Sequence, residues 1–263
     1  THFFDFPDLL KNEPSNRISA VEINGININI NHKPILRDID LQYSAGEFVA
    51  LMGPNRSGKS TLLQTLMGFQ KPTSGHIKVF EFDIAKTKTS TLVREIGFIF
   101  QNPDHQLFTQ SVWDEVTLAV KNLGLLSEEI KVRAIDLLER IGLQNRAQDH
   151  PQSLSYGEKR RLNLLSIILH RPKMLLVDEF LIGQDMAHAN AWMSFFRAYA
   201  HQGNIVLLVN HHASLTQKYC DRIIFLDQGQ VLIDESVQKA FAQLKSYGFD
   251  AFAPRPIGRL SYA

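Results

Sequence analysis

One octapeptide restricts the fold of this chain more than any other feature of its sequence. Residues 53–60 read GPNRSGKS and match the pattern G-x-x-x-x-G-K-[ST], whose backbone N–H groups surround phosphate groups. The apolar segment 47–52 before the loop reads as a buried strand, and residues 58–69 have the apolar spacing of a helix. A strand, a glycine-rich loop and a helix in this order predict a phosphate-binding loop rather than a glycine turn that happens to contain a lysine.

The residues of this loop have separable tasks. Backbone N–H groups and the N-terminus of the following helix attract the negative charge of a polyphosphate. Lys59 would reach the outer phosphates, and the Ser60 hydroxyl would be a ligand of Mg²⁺. The residues predicted to bind the nucleotide are Gly53, Pro54, Asn55, Arg56, Ser57, Gly58, Lys59, Ser60 and Thr61.

A second motif supplies the carboxylates that such a loop needs for a metal site. Four apolar residues, 174–177, are followed by Asp178 and Glu179 at the point where a buried strand would end. Alone, this run is typical of a capped strand, but together with the loop it indicates catalysis. Asp178 would hold Mg²⁺, and Glu179 would act as the general base on an attacking water molecule.

Composition indicates which class of protein carries these motifs. The 263 residues include 28 basic and 27 acidic side chains, for a net charge of +1, so a nucleic-acid partner is not expected. No unbroken apolar run approaches the roughly 18 residues of a membrane-spanning helix. The single cysteine, Cys220, cannot form an internal disulfide, which suits a reducing compartment. These features predict a globular domain that contains no membrane span.

The chain divides into three predicted segments. Residues 1–17 mix aromatic, acidic and proline residues without periodicity and read as an extended lead-in. Residues 18–235 would form the catalytic domain, in which strands alternating with helices predict a largely parallel sheet with a helical insert at about 102–170. Residues 236–263 are predicted to form a C-terminal helix and an extended tail.

Further motifs resemble those of the ATP-binding cassette (ABC) ATPases. Residues 154–158, LSYGE, are similar to the LSGGQ signature of that family. Gln101 stands where the family has its Q-loop glutamine, Asp185 resembles the D-loop aspartate, and His211 matches the switch histidine. Because these elements follow the family order over roughly residues 20–230, coincidence is an implausible explanation.

The resemblance implies an α/β fold with a P-loop NTPase core, an N-terminal antiparallel β region and a helical subdomain insert. It also implies that the nucleotide is ATP, which the chain would hydrolyse. The implied metal ligands for Mg²⁺ are Ser60, Gln101 and Asp178, and the implied catalytic residues are Glu179, His211 and Gln101.

A second ABC ATPase subunit is also implied, because the signature of one subunit closes over ATP held by the other. Asp185 would contact that subunit. The signature residues that would act on the partner's ATP are Ser155, Tyr156, Gly157 and Glu158.

Residues 100–108, FQNPDHQLF, narrow the resemblance further. They are similar to a segment of the energy-coupling factor (ECF) transporter ATPases, although QNP also occurs in other ABC importers. ECF transporters import vitamins or transition-metal ions, and their ATPases drive a transmembrane coupling subunit and a membrane substrate-binding subunit. The resemblance therefore implies a peripheral protein on the cytoplasmic face of the cell membrane that couples nucleotide-driven dimer closure to the movement of transmembrane partners.

The membrane partner would bind near residues 101–112. The apolar residues of this region have an equally good alternative interpretation as core of the helical insert. They are Leu107, Phe108, Val112 and Trp113.

Five positions depart from the family pattern. Arg56 replaces a glycine in the loop, which would cost about 1–2 kcal/mol if the position requires a positive φ. Tyr156 and Glu158 replace a glycine and a glutamine in the signature, and Phe180 stands where proline is common. Ile30 is the apolar residue nearest the position of the aromatic that stacks on adenine. The retained Glu179 and His211 favour a working ATP site in this chain, and Tyr156 favours a weaker signature. The departures together favour a non-identical partner ATPase.

Two other functions use the same motifs. The first is a soluble ABC ATPase in an assembly system, such as iron–sulfur cluster building, against which only the FQNPD segment counts. The second is a nucleotide-binding regulatory subunit that hydrolyses ATP weakly, which the residues at positions 56 and 156 suggest.

Overall fold

Ten strands and eight helices build the part of the chain that the computed structural model describes, residues 19–254. The predicted lead-in, and residues 255–263 of the predicted tail, lie outside the described residues. The strands are β1 (Ser19–Ile30), β2 (Lys33–Ser44), β3 (Phe48–Met52), β4 (Ser74–Val79), β5 (Phe82–Asp83), β6 (Ile96–Ile99), β7 (Met174–Val177), β8 (Ile205–Val209), β9 (Arg222–Asp227) and β10 (Gln230–Ser236). The helices are α1 (Lys59–Leu66), α2 (Thr89–Leu92), α3 (Val112–Asn122), α4 (Glu128–Arg140), α5 (Tyr156–Ile168), α6 (Met186–His201), α7 (Ala213–Tyr219) and α8 (Val237–Ser246).

The larger sheet has six strands in the order β10-β9-β3-β8-β7-β6. Strands β9, β3, β8, β7 and β6 run parallel to their neighbours, and β10 pairs antiparallel with β9. Every residue of β3, β6, β7 and β8 is buried. These strands read as unbroken apolar runs because both faces of a parallel sheet are covered.

The two faces of β3 illustrate how the core is divided. Val49 and Leu51 lie in the apolar cluster shared with the second sheet and α1. Phe48 packs into the cluster of the helical region, and Ala50 and Met52 pack with α8. Side chains of a strand point alternately to opposite faces, so one short strand joins three parts of the core.

The smaller sheet is antiparallel, with the order β2-β1-β4-β5. Along β1 the side chains of Val21, Ile23, Ile26 and Ile28 are buried. The sequence spacing between Ile23 and Ile26 is three, and the pairing of β1 with β2 shifts register there. A β-bulge keeps the apolar residues on one face despite the interrupted alternation.

Helices α3, α4 and α5 form an insert between β6 and β7. Each begins after a serine that caps it, namely Ser111, Ser127 and Ser155. In all three the serine hydroxyl accepts a hydrogen bond from the backbone N–H three residues later, which satisfies one exposed donor of the first turn. Apolar residues of the insert pack on the buried face of β6, β7 and β8 in a single cluster.

The predicted fold class is therefore confirmed: an α/β P-loop core with an N-terminal antiparallel sheet and a helical insert. Within residues 19–254, no helix combines the length and the apolar character needed to cross a membrane. The domain boundaries proposed from the sequence stay predictions.

His170, in the connection between α5 and β7, gives the fold a pH dependence. Burial lowers its pKa to about 4, against an ordinary value of 6.5. The folded chain therefore keeps His170 neutral in a range where the unfolded chain binds a proton. Stability that is present above pH 6.5 is lost as the pH falls towards 4, and we expect a loss of about 2 kcal/mol by pH 4.5.

Urea unfolding between pH 7 and pH 4.5 measures this loss. In His170→Gln the decline should be shallower than in the wild type by that amount. His201→Gln, at the exposed end of α6, is the matched control and should keep the wild-type decline. Equal slopes in wild type and His170→Gln would refute the assignment to His170.

Candidate nucleotide-binding site

The glycines at the two ends of the phosphate-binding loop are required by its geometry. Gly53 has φ 141°, and a Cβ there would lie 2.0 Å from the Leu226 carbonyl oxygen. Gly58 has φ 105°, and a Cβ there would lie 2.5 Å from Leu36 Cδ2. Both positions are closed to a side chain by conformation and by space. The loop therefore packs tightly against β9 at Gly53 and against β2 at Gly58.

Arg56 adopts a positive φ, as expected if the glycine of the family pattern is required by the backbone conformation. Its φ is 65°, in the left-handed region. An arginine there costs about 1–2 kcal/mol relative to a relaxed backbone. The side chain is exposed and lines the same cavity as Lys59. Its charge therefore faces the space that the phosphates would occupy, which is the compensation expected for a strained residue at a binding site.

A cavity of about 550 Å³ opens above the loop. Its wall includes Ile35, near the start of β2, as an apolar surface. Contact of Ile30 with the adenine ring stays a prediction. The lining residues are Ile35, Asn55, Arg56, Gly58, Lys59, Ser60, Thr61 and Glu179.

Lys59 is held inside the loop. Its Nζ donates hydrogen bonds to the carbonyl oxygens of Gly53, at 2.9 Å, and of Pro54, at 2.7 Å. The side chain is only 5% exposed. Burial lowers the Lys59 pKa, and the negative charges of Glu179 and Asp178 oppose that shift. The ammonium group is thus a buried, oriented charge at the floor of the cavity.

Asp178 follows β7 and lies beside Ser60 of α1. Burial raises the pKa of Asp178, and a hydrogen bond from the Ser60 hydroxyl partly offsets the shift. Among the described residues, Asp178 Oδ1 is buried and has no hydrogen-bond partner. A buried carboxylate oxygen without a partner is costly unless a cation or donor binds it.

This donor set fits Mg²⁺. A carboxylate oxygen and a hydroxyl are hard ligands of the kind that Mg²⁺ takes, together with phosphate oxygens and water. Among residues 19–254 there is no cluster of three or more His, Cys, Asp or Glu side chains that could hold a metal ion. A cation at Asp178 would therefore complete its coordination with oxygens of the nucleotide and of water, as Mg²⁺ does in phosphoryl-transfer enzymes.

Glu179 meets two polar partners from neighbouring strands. Its Oε2 accepts a hydrogen bond from Gln101 Nε2 at 2.7 Å, and its Oε1 lies 3.2 Å from His211 Nε2. Gln101, Glu179 and His211 follow β6, β7 and β8, whose carboxyl ends meet at one edge of the parallel sheet. His212 takes a different position, as the residue that precedes α7. The sheet thus brings together the three residues that the sequence singled out as catalytic.

The backbone of Glu179 is itself strained. Its φ is 45°, in the left-handed region that non-glycine residues avoid. Such conformations cost of order 1–3 kcal/mol and persist only where the surroundings enforce them. Here the backbone conformation directs the carboxylate into the cavity of the phosphate-binding loop. A carboxylate so placed can accept a proton from water at that position.

The signature segment begins helix α5. Ser155 and Glu158 form a reciprocal cap: the Ser155 backbone N–H donates to Glu158 Oε2 at 2.8 Å, and the Glu158 N–H donates to Ser155 Oγ at 3.4 Å. Hydrogen bonds from Ser155 lower the pKa of Glu158, and Arg146 lies 3.5 Å from the same carboxylate. The glutamate that replaces the family's glutamine is therefore anchored within its own chain. This cap stabilises the helix end by about 1 kcal/mol.

Three other predicted residues lie at the surface. Tyr156 is 49% exposed, and a Cβ added at Gly157 would come no closer than 3.9 Å to a neighbouring atom, Arg161 Nη1. Asp185 is the N-cap of α6 and accepts a hydrogen bond from the His188 N–H at 2.9 Å. Their contacts with a second subunit stay predictions.

One buried residue near the site escapes sequence reasoning. Arg160 is 2% exposed, although it belongs to a basic run, KRR at 159–161, that reads as a solvated helix surface. The available signal is its helical spacing: residues four apart, such as Tyr156 and Arg160, share one face of a helix.

Comparisons with known proteins agree with this geometry. A family model described as ABC transporter matches residues 36–181. A putative ABC transporter ATP-binding protein of Methanosarcina mazei is 39% identical over 206 residues, 78% of this chain and 35% of that protein. The putative HMP/thiamine import ATP-binding protein YkoD of Bacillus subtilis is 35% identical over 233 residues, 89% of this chain and 42% of that protein. The chain thus spans about a third to two fifths of the length of these relatives.

A solved structure gives the same picture. The chain is similar to cbiO1 from Clostridium perfringens, described as part of the ABC transporter complex cbiONQ, with a TM-score of 0.76 and 28% identity. The match covers 87% of this chain and 92% of that one. The chain therefore belongs to the ABC transporter family of ATP-binding proteins. The predicted family, fold class and ATPase class are confirmed, and ATP is the nucleotide that proteins of this family bind.

Proposed function

We propose that this chain is the ATP-hydrolysing subunit of an ABC importer. The observation that supports this most strongly is the position of Glu179, which lines the cavity of Lys59 and its loop and is contacted by Gln101 and His211. A general base, its two polar partners and a cradle for phosphates are the parts that hydrolysis of a nucleoside triphosphate requires.

In the proposed mechanism the phosphates of ATP lie along the loop N–H groups, and Lys59 donates to the outer phosphates. Asp178, Ser60 and Gln101 are the proposed ligands of Mg²⁺, which when bound would neutralise the charge that develops on the transferring phosphoryl group. Glu179 accepts a proton from the water molecule that attacks the γ-phosphorus, while the bond to the β-phosphate oxygen breaks. His211, beside Glu179, orients the reacting groups.

A second ABC ATPase subunit completes the site in this proposal. Its signature closes over the ATP held by this chain, and residues 155–158 of this chain close over the partner's ATP. Tyr156 is bulkier than the glycine of the family pattern, so the partner's site is the weaker of the two. The partner ATPase would then be a different polypeptide, and Asp185 would lie at the contact. Nucleotide-driven closure of this pair would move the transmembrane subunits.

The proposed transporter is of the ECF type, with a transmembrane coupling subunit and a membrane substrate-binding subunit. Three observations support it: residues 100–108 read FQNPDHQLF, one relative is named for HMP/thiamine import, and cbiO1 is described as part of a transporter complex. The transported substrate would be a vitamin or a transition-metal ion. The chain would lie peripherally on the cytoplasmic face of the cell membrane.

An apolar groove is the proposed docking surface for the coupling subunit. It has a volume of about 270 Å³ and lies beside β6, α3 and α5. Two aromatic side chains on its wall are largely exposed, Phe69 at 50% and Phe108 at 72%. Four apolar residues here could belong either to a partner surface or to the core of the helical insert. Leu107 and Val112 are buried in the core and Trp113 packs against it, whereas Phe108 is exposed. An exposed aromatic beside an apolar groove is typical of a binding surface.

Co-purification from membranes tests this proposal. The full chain, tagged and expressed in its own cells, should retain an integral membrane protein that mass spectrometry identifies. Phe108→Ser should reduce the amount retained by about tenfold, because an aromatic anchor at an interface contributes more than 1 kcal/mol. The matched control is Val132→Ser on α4, an apolar side chain 67% exposed that lies outside the groove.

The outcomes separate the proposed functions. Retention of an integral membrane protein by wild type and Val132→Ser, but not by Phe108→Ser, supports an importer. Retention of scaffold proteins without any membrane protein would replace the importer with the assembly ATPase. A membrane complex that binds ATP without hydrolysing it would favour the regulatory subunit.

A further inference from the structure

Arg160 occupies an unusual position between the signature segment and the catalytic glutamate. It is buried in helix α5, and its Nη2 donates to the Tyr156 hydroxyl at 2.8 Å and to the Gln101 carbonyl oxygen at 3.4 Å. The guanidinium carbon lies 4.9 Å from the centre of the Tyr156 ring and 5.1 Å from that of the Phe180 ring. The charged group is thus enclosed by two aromatic rings and one backbone carbonyl.

This environment is expensive for a cation. Within the described part of the chain, Arg160 Nε and Nη1 are buried and have no hydrogen-bond partner. The ring faces of Tyr156 and Phe180 return part of the lost hydration through cation–π attraction. Leaving charged donors unpaired remains unfavourable, so a residue selected only for packing would be apolar here.

Two neighbours of the guanidinium, Phe180 and Gln101, are each connected to the proposed catalytic residue Glu179. Phe180 follows Glu179 in the chain and is fixed by edge-on packing against Trp192, at 5.0 Å between ring centres, and Phe196, at 5.8 Å. Gln101 accepts from Arg160 through its backbone and donates to Glu179 through its side chain, at 2.7 Å. Arg160 therefore contacts Gln101, the donor of the hydrogen bond to Glu179, and Phe180, the residue that follows Glu179.

The segment that contains Gln101 is attached to α5 at further points. Lys159 Nζ lies 2.7 Å from Asp104 Oδ1, and Asn163 Nδ2 donates to the Pro103 carbonyl oxygen at 3.0 Å. Gln106 Nε2 donates to the Asn163 carbonyl oxygen at 3.2 Å. A displacement of α5 would therefore be transmitted to the whole segment 101–106, with Arg160 as the contact nearest Glu179.

We propose that Arg160 is a positioning residue for hydrolysis: it holds Gln101 and, through Phe180, Glu179 in their places at the cavity, while the Tyr156 hydroxyl orients its guanidinium. The inference rests on the proposed function of Glu179 as the base. The same role explains two departures from the family pattern, because the aromatic rings of Tyr156 and Phe180 both contact the guanidinium of Arg160. Tyr156 thereby acts on the ATP site of its own chain.

The test uses the membrane complex purified through the tagged full chain. In Arg160→Met the side chain keeps its length but loses the charge and the donors. We expect kcat for ATP hydrolysis to fall about 30-fold and KM for ATP to change by less than about twofold, because the reacting groups are misplaced without loss of nucleotide contacts. Replacing a buried charge by an apolar group of similar size leaves the melting temperature near that of the wild type.

A double-mutant cycle distinguishes positioning from simple packing. Tyr156→Phe removes only the hydroxyl that accepts from Arg160, and we expect it to lower kcat about threefold in the wild-type chain. In the Arg160→Met background the same change should have no effect, because the hydroxyl would act through Arg160. Arg140→Met, on the outer helix α4, is the arginine control and should leave kcat unchanged.

Three results would overturn the inference: unchanged kcat in Arg160→Met, a KM increase that accounts for the whole loss of kcat/KM, or effects of Tyr156→Phe that multiply with those of Arg160→Met. A wild-type complex that binds ATP but does not hydrolyse it would refute the proposed function, and this inference with it. Hydrolysis by the wild type with unchanged Arg160→Met would refute the inference alone.

Discussion

Glu179→Gln is expected to lower ATP turnover by about 100-fold or more while ATP still binds, because the variant keeps the shape of the side chain and loses the base. The amide can still accept a hydrogen bond from Gln101 and fill the same space. It cannot take a proton from the attacking water. Turnover of the purified complex at saturating ATP, together with a nucleotide-binding titration, measures the two effects separately.

The control for this variant is Glu139→Gln. Glu139 lies on the exposed face of α4, outside the nucleotide cavity. It should leave both turnover and binding unchanged. A Glu179→Gln complex that hydrolyses ATP at the wild-type rate would remove Glu179 from the mechanism and would point to a base in the partner subunit.

Lys59→Met is expected to weaken the binding of Mg²⁺-ATP by about 100-fold, because charge-assisted hydrogen bonds to the phosphates are lost. The methionine keeps the unbranched stem that is buried beneath the loop. Because burial lowers the pKa of Lys59, the charged form of this side chain makes the folded state less stable. Removing that charge relieves this cost but leaves the Gly53 and Pro54 carbonyl oxygens without their donor, so we expect little net change in the free energy of unfolding, and the loss of affinity can be measured on a folded protein.

Titration with a fluorescent ATP analogue measures the affinity, and urea unfolding checks the fold. Lys245→Met, an exposed lysine of α8, is the matched control and should bind like the wild type. If Lys59→Met retained wild-type affinity, the loop would hold the nucleotide by backbone contacts alone, and the proposed role of Lys59 would be wrong.

Several residues of the nucleotide-binding site destabilise the folded chain, and the rest of the fold must offset this destabilisation. Arg56 and Glu179 adopt left-handed backbone conformations, with φ of 65° and 45°. Burial raises the pKa of Asp178 and lowers the pKa of Lys59, so it disfavours the charged form of each side chain. Strain and buried charge concentrate here because a pre-organised site needs groups aimed at the ligand before it arrives. Such a concentration is typical of catalytic sites.

Sequence reasoning reaches the local parts of this site well. The phosphate-binding loop depends on glycines at fixed positions and on the strand and helix around it, all of which lie within residues 47–69. Asp178 and Glu179 mark the end of β7 because an apolar strand stops at charged residues. The alternation of strands and helices is likewise readable, since side-chain periodicity differs between the two.

The features of the site that depend on tertiary contacts are harder to predict from the sequence. Ile35 lines the cavity because β2 passes beside the phosphate-binding loop in the folded chain, and no local sequence pattern indicates that neighbourhood. The burial of Arg160 follows from how α5 lies against the segment after β6, which its basic neighbours conceal. The positive φ of Glu179 arises where the chain turns after β7, and no residue type in this segment predicts it.

The departures from the family pattern acquire physical meanings once the contacts are known. Glu158 completes a helix cap with Ser155, so its charge is used within the chain. The rings of Tyr156 and Phe180 both contact the guanidinium of Arg160. Three of the departures thus have local contacts that explain them.

Phosphate release from Mg²⁺-ATP by the membrane complex that co-purifies with this chain tests the central claim most directly. We expect steady turnover that requires Mg²⁺, together with a membrane protein in the complex. A complex that binds ATP at this site and releases no phosphate in the presence of Mg²⁺ would contradict it.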